Sequence, residues 1–112
     1  VANSDAPVAV LTSGATASAG EAVVVAFHGR PDTRFFGEST RGVPTGNQPH
    51  RLSDGAVLNL TEAKDADRTG RTYDARIPPD EEVFTERRTV GTSRDRVLEA
   101  AKSWLAEQPA CR

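Results

Sequence analysis

With 112 residues, 37% of them hydrophobic and 27% charged, the chain amounts to at most one domain with a single modest core. Its net charge is −2, and its 14 Lys and Arg residues, nearly all arginines, are scattered rather than gathered into a basic stripe interleaved with aromatics, which sets nucleic-acid binding aside. The longest apolar run, Ala22 to Phe27, is far too short to cross a bilayer, so no membrane insertion is expected of this segment.

The sequence starts at Val1, contains no methionine and shows no signal peptide. It is therefore expected to be part of a longer protein: a processed product, an excised segment or a proteolytic piece. Residues 1–6 form a polar lead-in. Pro7-Val8-Ala9-Val10-Leu11-Thr12 reads as a short strand buried on both faces, and Ser13-Gly14-Ala15-Thr16 as a small-residue turn. Ala17 to His28 is predicted helical because Gly29, and Pro31 two residues on, form a stop signal that outweighs the β-branched run Val23-Val24-Val25.

Thr33 to Phe36 is predicted to be a strand ending at Gly37, and the Gly/Pro/Thr-rich stretch Thr40 to Pro49 a loop. In Ala56 to Thr61, apolar residues at 56, 58 and 60 predict a half-buried strand, entered through the turn pair Asp54-Gly55. Asp65 to Gly70 reads as a turn, and Pro78-Pro79-Asp80 punctuates an extended segment. The clearest helix is the last, about residues 93–107. Thr92-Ser93-Arg94-Asp95 supplies a capping pattern, and Val97, Ala101, Trp104 and Leu105 form one apolar stripe.

Ser18 stands where the first strand turns into the first helix. Ser18 and Glu21 make a capping box, and from the residues alone capping is the stronger reading. The same place suits a nucleophile, because a helix N-terminus offers unpaired N–H groups to an oxyanion and Ala17, Ala19 and Gly20 leave room for a substrate backbone. The pattern resembles a nucleophile elbow, with Thr16 where G-x-S-x-G has its first glycine.

The ordered set Pro7-Val8-Ala9-Val10-Leu11, Thr16-Ala17-Ser18-Ala19-Gly20-Glu21, Gly37-Glu38-Ser39-Thr40-Arg41-Gly42, Leu52 to Leu58, Asp67 to Tyr73 and Ile77-Pro78-Pro79-Asp80 resembles the S41 peptidases, the tail-specific or C-terminal processing protease family. The resemblance covers about residues 7–83. It implies an α/β fold of ClpP/crotonase-like type, of which this chain would be the C-terminal half, with the whole chain one partial catalytic domain. It implies hydrolysis of peptide or protein substrates through an acyl-enzyme on Ser18, with the Ala19 N–H in the oxyanion hole and no cofactor. It also suggests an extracytoplasmic or secreted location.

The processing-protease branch pairs its serine with a lysine soon after the G-E-x-T-x-G element. Val43-Pro44-Thr45 stands there, and Lys64 and Lys102, the two lysines, lie elsewhere. The pattern resembles instead the histidine-dependent branch, the tricorn-core and nisin-resistance type, whose histidine precedes the serine in sequence that this chain lacks. His28 is about 15 Å from Ser18 at 1.5 Å per helical residue. His50 is read as a solvated loop side chain. Neither is assigned as the base.

Pro78 replaces a glutamate that many relatives carry, which changes any assistance from Asp80. Glu38 and Arg41 are expected to stabilise the turn they flank and Glu21 to cap its helix. Asp65, Asp67 and Asp80 lack metal-ligand spacing, so no metal is expected. Asn59-Leu60-Thr61 is a glycosylation pattern inside a predicted strand, and Cys111 an incidental tail cysteine. Apolar surface on Val8–Leu11 and Ala22–Phe27, uncovered by truncation, is expected to favour a homodimer. The rival reading is a non-catalytic module of the same fold that binds a retinoid-like or acyl ligand.

Overall fold

The computed structural model of the chain describes residues 5–111, so most of the lead-in lies outside the described residues. Strand β1 (Val8–Thr12), helix α1 (Ala19–Phe27) and strand β2 (Thr33–Gly37) form a β-α-β unit whose strands pair in parallel, Val8 opposite Thr33 through Thr12 opposite Gly37. Two antiparallel strands follow, β3 (Thr45–Arg51) and β4 (Val57–Lys64). The short β5 (Glu81–Glu82) then returns to pair in parallel with β2, giving the order β1-β2-β5. Helix α2 (Arg96–Glu107) closes the fold, between one-turn 3-10 segments at Arg87–Thr89 and Pro109–Cys111.

The helices take opposite faces of the three-stranded sheet. Val24 and Val25 of α1 pack with Phe35, Tyr73 and Ile77, flanked by Val10 and Phe27. On the other side Val97 and Ala101 of α2 pack with Phe36, and Trp104 stacks obliquely on the Phe36 ring at 5.9 Å. Phe35 and Phe36 thus serve one core each because successive strand residues point to opposite faces. Gly37 sits at φ 120°, and a Cβ there would lie 2.0 Å from the Thr12 carbonyl oxygen, so the two strands can approach only at glycine.

Several expectations need correction. The segment from Thr40 to Pro49 is not a loop throughout, because Thr45–Arg51 is a strand laddered to β4 with a bulge at Gly46/Asn47. Pro49 is tolerated in a strand with only one partner. Strand β4 exists as read, but it is exposed along its whole length rather than half-buried. The β3–β4 hairpin stands away from both cores, and the Cα radius of gyration is 17.0 Å, against about 13 Å for a compact domain of this length. Strand β1 is half-buried rather than covered on both faces. Helix α1 begins two residues later than read, at Ala19, and α2 starts at Arg96, capped by Asp95, whose carboxylate accepts the Val97 and Leu98 N–H groups at 3.1 Å. No helix among the described residues is long and apolar enough to cross a membrane.

Candidate active site

Ser18 is exposed at the carboxyl end of β1, immediately before α1, with φ 50° and ψ −113°. That region is sparsely populated for a residue with a Cβ and costs about 1–3 kcal/mol. The turn is held from several sides. The Thr16 N–H donates to the Ser13 carbonyl at 2.9 Å, the Ser13 N–H to Thr16 Oγ1 at 3.1 Å, and the Arg41 N–H to the Thr16 carbonyl at 2.8 Å. The capping box is present in outline, yet no bond of normal geometry ties the Ser18 hydroxyl to the helix as a cap. In the first turn, Gly20 and Ala22 donate to the Ala17 and Ser18 carbonyls at 2.9 Å, whereas the Ala19 N–H makes no hydrogen bond among the described residues. An exposed hydroxyl and an unpaired N–H therefore meet at the positive end of a helix dipole.

Glu21 does far more than cap. Its side chain is fully buried, and Oε2 accepts the N–H groups of Ser18 and Val43, both at 2.9 Å. Oε1 accepts the Thr40 hydroxyl at 2.6 Å and the Gly42 N–H at 2.7 Å. Burial pushes this carboxyl up, but the Thr40 hydroxyl and the three N–H groups together outweigh it and hold the group below its ordinary value, as a carboxylate. Thr40 in turn accepts the Ile77 N–H at 2.9 Å, so one buried anion links the Ser18 turn, the 40–43 segment and the extended segment leading to β5.

The histidines are engaged elsewhere. His28 caps the far end of α1, stacks on Phe35 at 4.1 Å and leans on Tyr73 at 5.3 Å. Burial lowers its basicity, and Arg71 adds to this while Asp80 and Asp67 oppose it. His50 lies on the exposed hairpin and contacts the Glu62 carboxylate. Lys64 and Lys102 pair with Asp74 and Glu99, each at 2.9 Å, on the surface.

Asp80 has a structural task that the sequence did not reveal. Its carboxylate accepts the Phe35 N–H and its own N–H donates to the Phe35 carbonyl, both at 2.9 Å, which zips β2 to the segment entering β5. Asp67 accepts from Thr69, Arg71 and the Tyr73 hydroxyl, the last at 2.7 Å, and these bonds hold its carboxyl far below the usual range. At Glu38 and Arg41 the bonds are made by the backbone, which ties these two positions to Thr12 and Thr16. No group of three or more metal-ligating side chains gathers among the described residues.

The model of peptidase family S41 matches residues 1–83. The chain belongs to this family. Among curated proteins, the chain is similar to the nisin-resistance protein of Lactococcus lactis subsp. lactis, 40% identical over 68 residues, which are 61% of this chain and 21% of that protein. A solved structure of a lipoprotein from Streptococcus agalactiae superposes with a TM-score of 0.67 at 36% identity, over 88% of this chain and 31% of the other. A Parabacteroides merdae structure described as a putative peptidase also superposes, with TM-score 0.66, 25% identity and the same coverages of 88% and 31%. A Bacteroides fragilis structure described as a putative S41 protease shares the fold, with TM-score 0.69 at 23% identity over 90% of this chain and 28% of that one. The chain therefore spans between a fifth and a third of the length of these relatives.

Within this S41 segment, three of the motifs quoted from the sequence come together around one place. The Thr16–Glu21 run forms the turn and first helical residues, the Thr40–Gly42 run wraps the Glu21 carboxylate, and Ile77 is tied to Thr40.

Proposed function

We propose that this chain is the nucleophile-bearing lobe of a serine peptidase with a ClpP/crotonase-like core. The observation that carries the reading is the strained, positive-φ backbone of Ser18, an exposed residue in the turn that leads from β1 into the N-terminus of α1. Such strain in a non-glycine residue is kept where surrounding bonds enforce it, and here Glu21 and Arg41 supply them.

In the proposed reaction the Ser18 oxygen attacks the scissile carbonyl carbon and gives its proton to a histidine supplied by upstream sequence. The oxyanion accepts the Ala19 N–H. The intermediate collapses with loss of the amine, which takes the proton from that histidine, and water then releases the acyl group by the reverse proton path. Membership of the S41 family supports the reaction class. Likeness to a nisin-resistance protein supports an antimicrobial or other short peptide as substrate, and likeness to a lipoprotein supports an extracytoplasmic or membrane-anchored setting.

The test is turnover of a peptide panel by the full-length parent and by the isolated chain. The parent is expected to cleave, Ser18→Ala to abolish cleavage, and the isolated chain to be inactive for want of a base. Turnover by the isolated chain that disappears in Ser18→Ala would overturn the need for an upstream histidine. Undiminished cleavage by the Ser18→Ala parent would overturn the role of Ser18.

A further inference from the structure

We infer that the cavity beside the Ser18 turn binds a bulky apolar side chain of the peptide, an assignment that rests on the peptidase reading above. The cavity has a volume of about 490 Å³, within the range of small-ligand sites. Its walls come from segments that leave the carboxyl ends of all three parallel strands: Leu11–Thr16 after β1, Glu38 after β2, and Phe84–Thr85 after β5. In parallel α/β sheets this edge is where ligands bind. Ser18 follows the same strand end, and Thr16, two residues before it, lines the cavity.

The chemistry of the walls selects the occupant. Among the lining residues Leu11, Phe84 and Val90 are exposed hydrophobics, at 42%, 61% and 61%, and the buried Val97 adds a further apolar wall. The polar wall groups are already used. Thr12 Oγ1 donates to the Glu38 carbonyl at 2.7 Å, Thr16 Oγ1 accepts the Ser13 N–H at 3.1 Å, and Thr85 Oγ1 accepts the Arg96 N–H at 3.1 Å. The Asp95 carboxylate accepts from Gly91, Val97 and Leu98. A polar side chain would lose its water here and find few groups to replace it, while a leucine or phenylalanine side chain would cover the exposed apolar wall. Glu38 and Arg87, the remaining charged wall residues, would then flank the peptide rather than define the pocket.

Two measurements test this. In the first, capped peptides differing only in one residue (Leu, Phe, Ala, Asp) are titrated into the full-length parent carrying Ser18→Ala, and backbone amide shifts are followed. Leu and Phe peptides are expected to shift residues 11–16, 84–90 and 97. Phe84→Ser and Val90→Ser, at exposed positions that leave both cores intact, are expected to weaken binding about tenfold together. Shifts confined to other surfaces, no binding at millimolar peptide, or equal binding of Asp and Leu peptides would overturn the assignment.

In the second, the full-length parent is profiled for cleavage of the same peptides and for covalent labelling of Ser18 by a fluorophosphonate. The double serine variant is expected to lose the apolar preference while Ser18 labels at the wild-type rate. An unchanged preference with intact labelling would overturn the cavity assignment alone. Absent labelling with intact binding would overturn the peptidase reading alone.

Discussion

The Glu21 carboxylate accepts the backbone N–H of Ser18 at 2.9 Å while the Thr40 hydroxyl donates to its other oxygen at 2.6 Å. The backbone of the candidate nucleophile is thereby fastened to a segment about twenty residues away by one buried anion. Both oxygens face donors only, so Glu21→Gln must turn its amide group toward N–H or O–H groups whichever way it flips. The expected cost is about 2–4 kcal/mol of stability, read from chemical denaturation.

The same network sets an acid limb. The folded-state pKa of Glu21 lies below its ordinary value of 4.5, so its stabilisation is complete above about pH 4.5 and is lost as the pH falls through the folded value. Denaturation midpoints between pH 3 and 6 are expected to fall less steeply on the acid side in Glu21→Gln than in the wild type. Equal slopes would assign the acid sensitivity to other carboxylates.

An alkaline limb is expected from Tyr73. Burial, and then its hydrogen bond to Asp67, push the phenol from 10.0 up to about 12. A raised folded-state value means that this stabilisation is present below pH 10 and lost between pH 10 and about 12. Tyr73→Phe is expected to flatten stability over that window, as followed by circular dichroism, at the expense of the Asp67 hydrogen bond.

Gly37→Ala tests the strand packing beneath the site. The added methyl would lie 2.0 Å from the Thr12 oxygen at a backbone φ of 120°. A loss of at least about 3 kcal/mol, or failure to fold, is expected. Gly55→Ala, at a hairpin turn with open space around it, is the matched control and is expected to cost far less, with only the strain of its φ of 87°.

The elements with local signals were legible in the sequence. The apolar run at β1, the Gly29 stop after α1 and the apolar stripe of α2 each act within one element and so can be read from it. The hairpin was half legible: β4 showed its alternation, but β3 carries glycine, proline and polar residues and is a strand because β4 pairs with it. Alternation also suggested burial, which requires a facing layer, and the described residues provide none for the hairpin. Ser18 was singled out as a candidate through its motif context. The reach of Glu21 to Thr40, Gly42 and Val43, and that of Asp80 to Phe35, join residues 19 to 45 positions apart, and nothing local marks such pairs.

Association is expected to involve the hairpin more than the surfaces named from the sequence. Leu11 on β1 and Val23 on α1 are exposed, but Leu52, Val57, Leu58 and Leu60 gather on or beside the hairpin at 42–60% exposure. We expect the isolated chain to dimerise or aggregate, and replacement of Leu58 and Leu60 by threonine to reduce this in light scattering without loss of the two cores. A clean monomer at high concentration would contradict the expectation.

The most direct measurement is covalent labelling of the full-length parent by a fluorophosphonate, followed by peptide mapping. The account predicts one adduct, on Ser18, absent in Ser18→Ala and retained, at a reduced rate, in Glu21→Gln. Absence of any adduct on Ser18 in active, folded protein, or labelling that persists in Ser18→Ala, would contradict it.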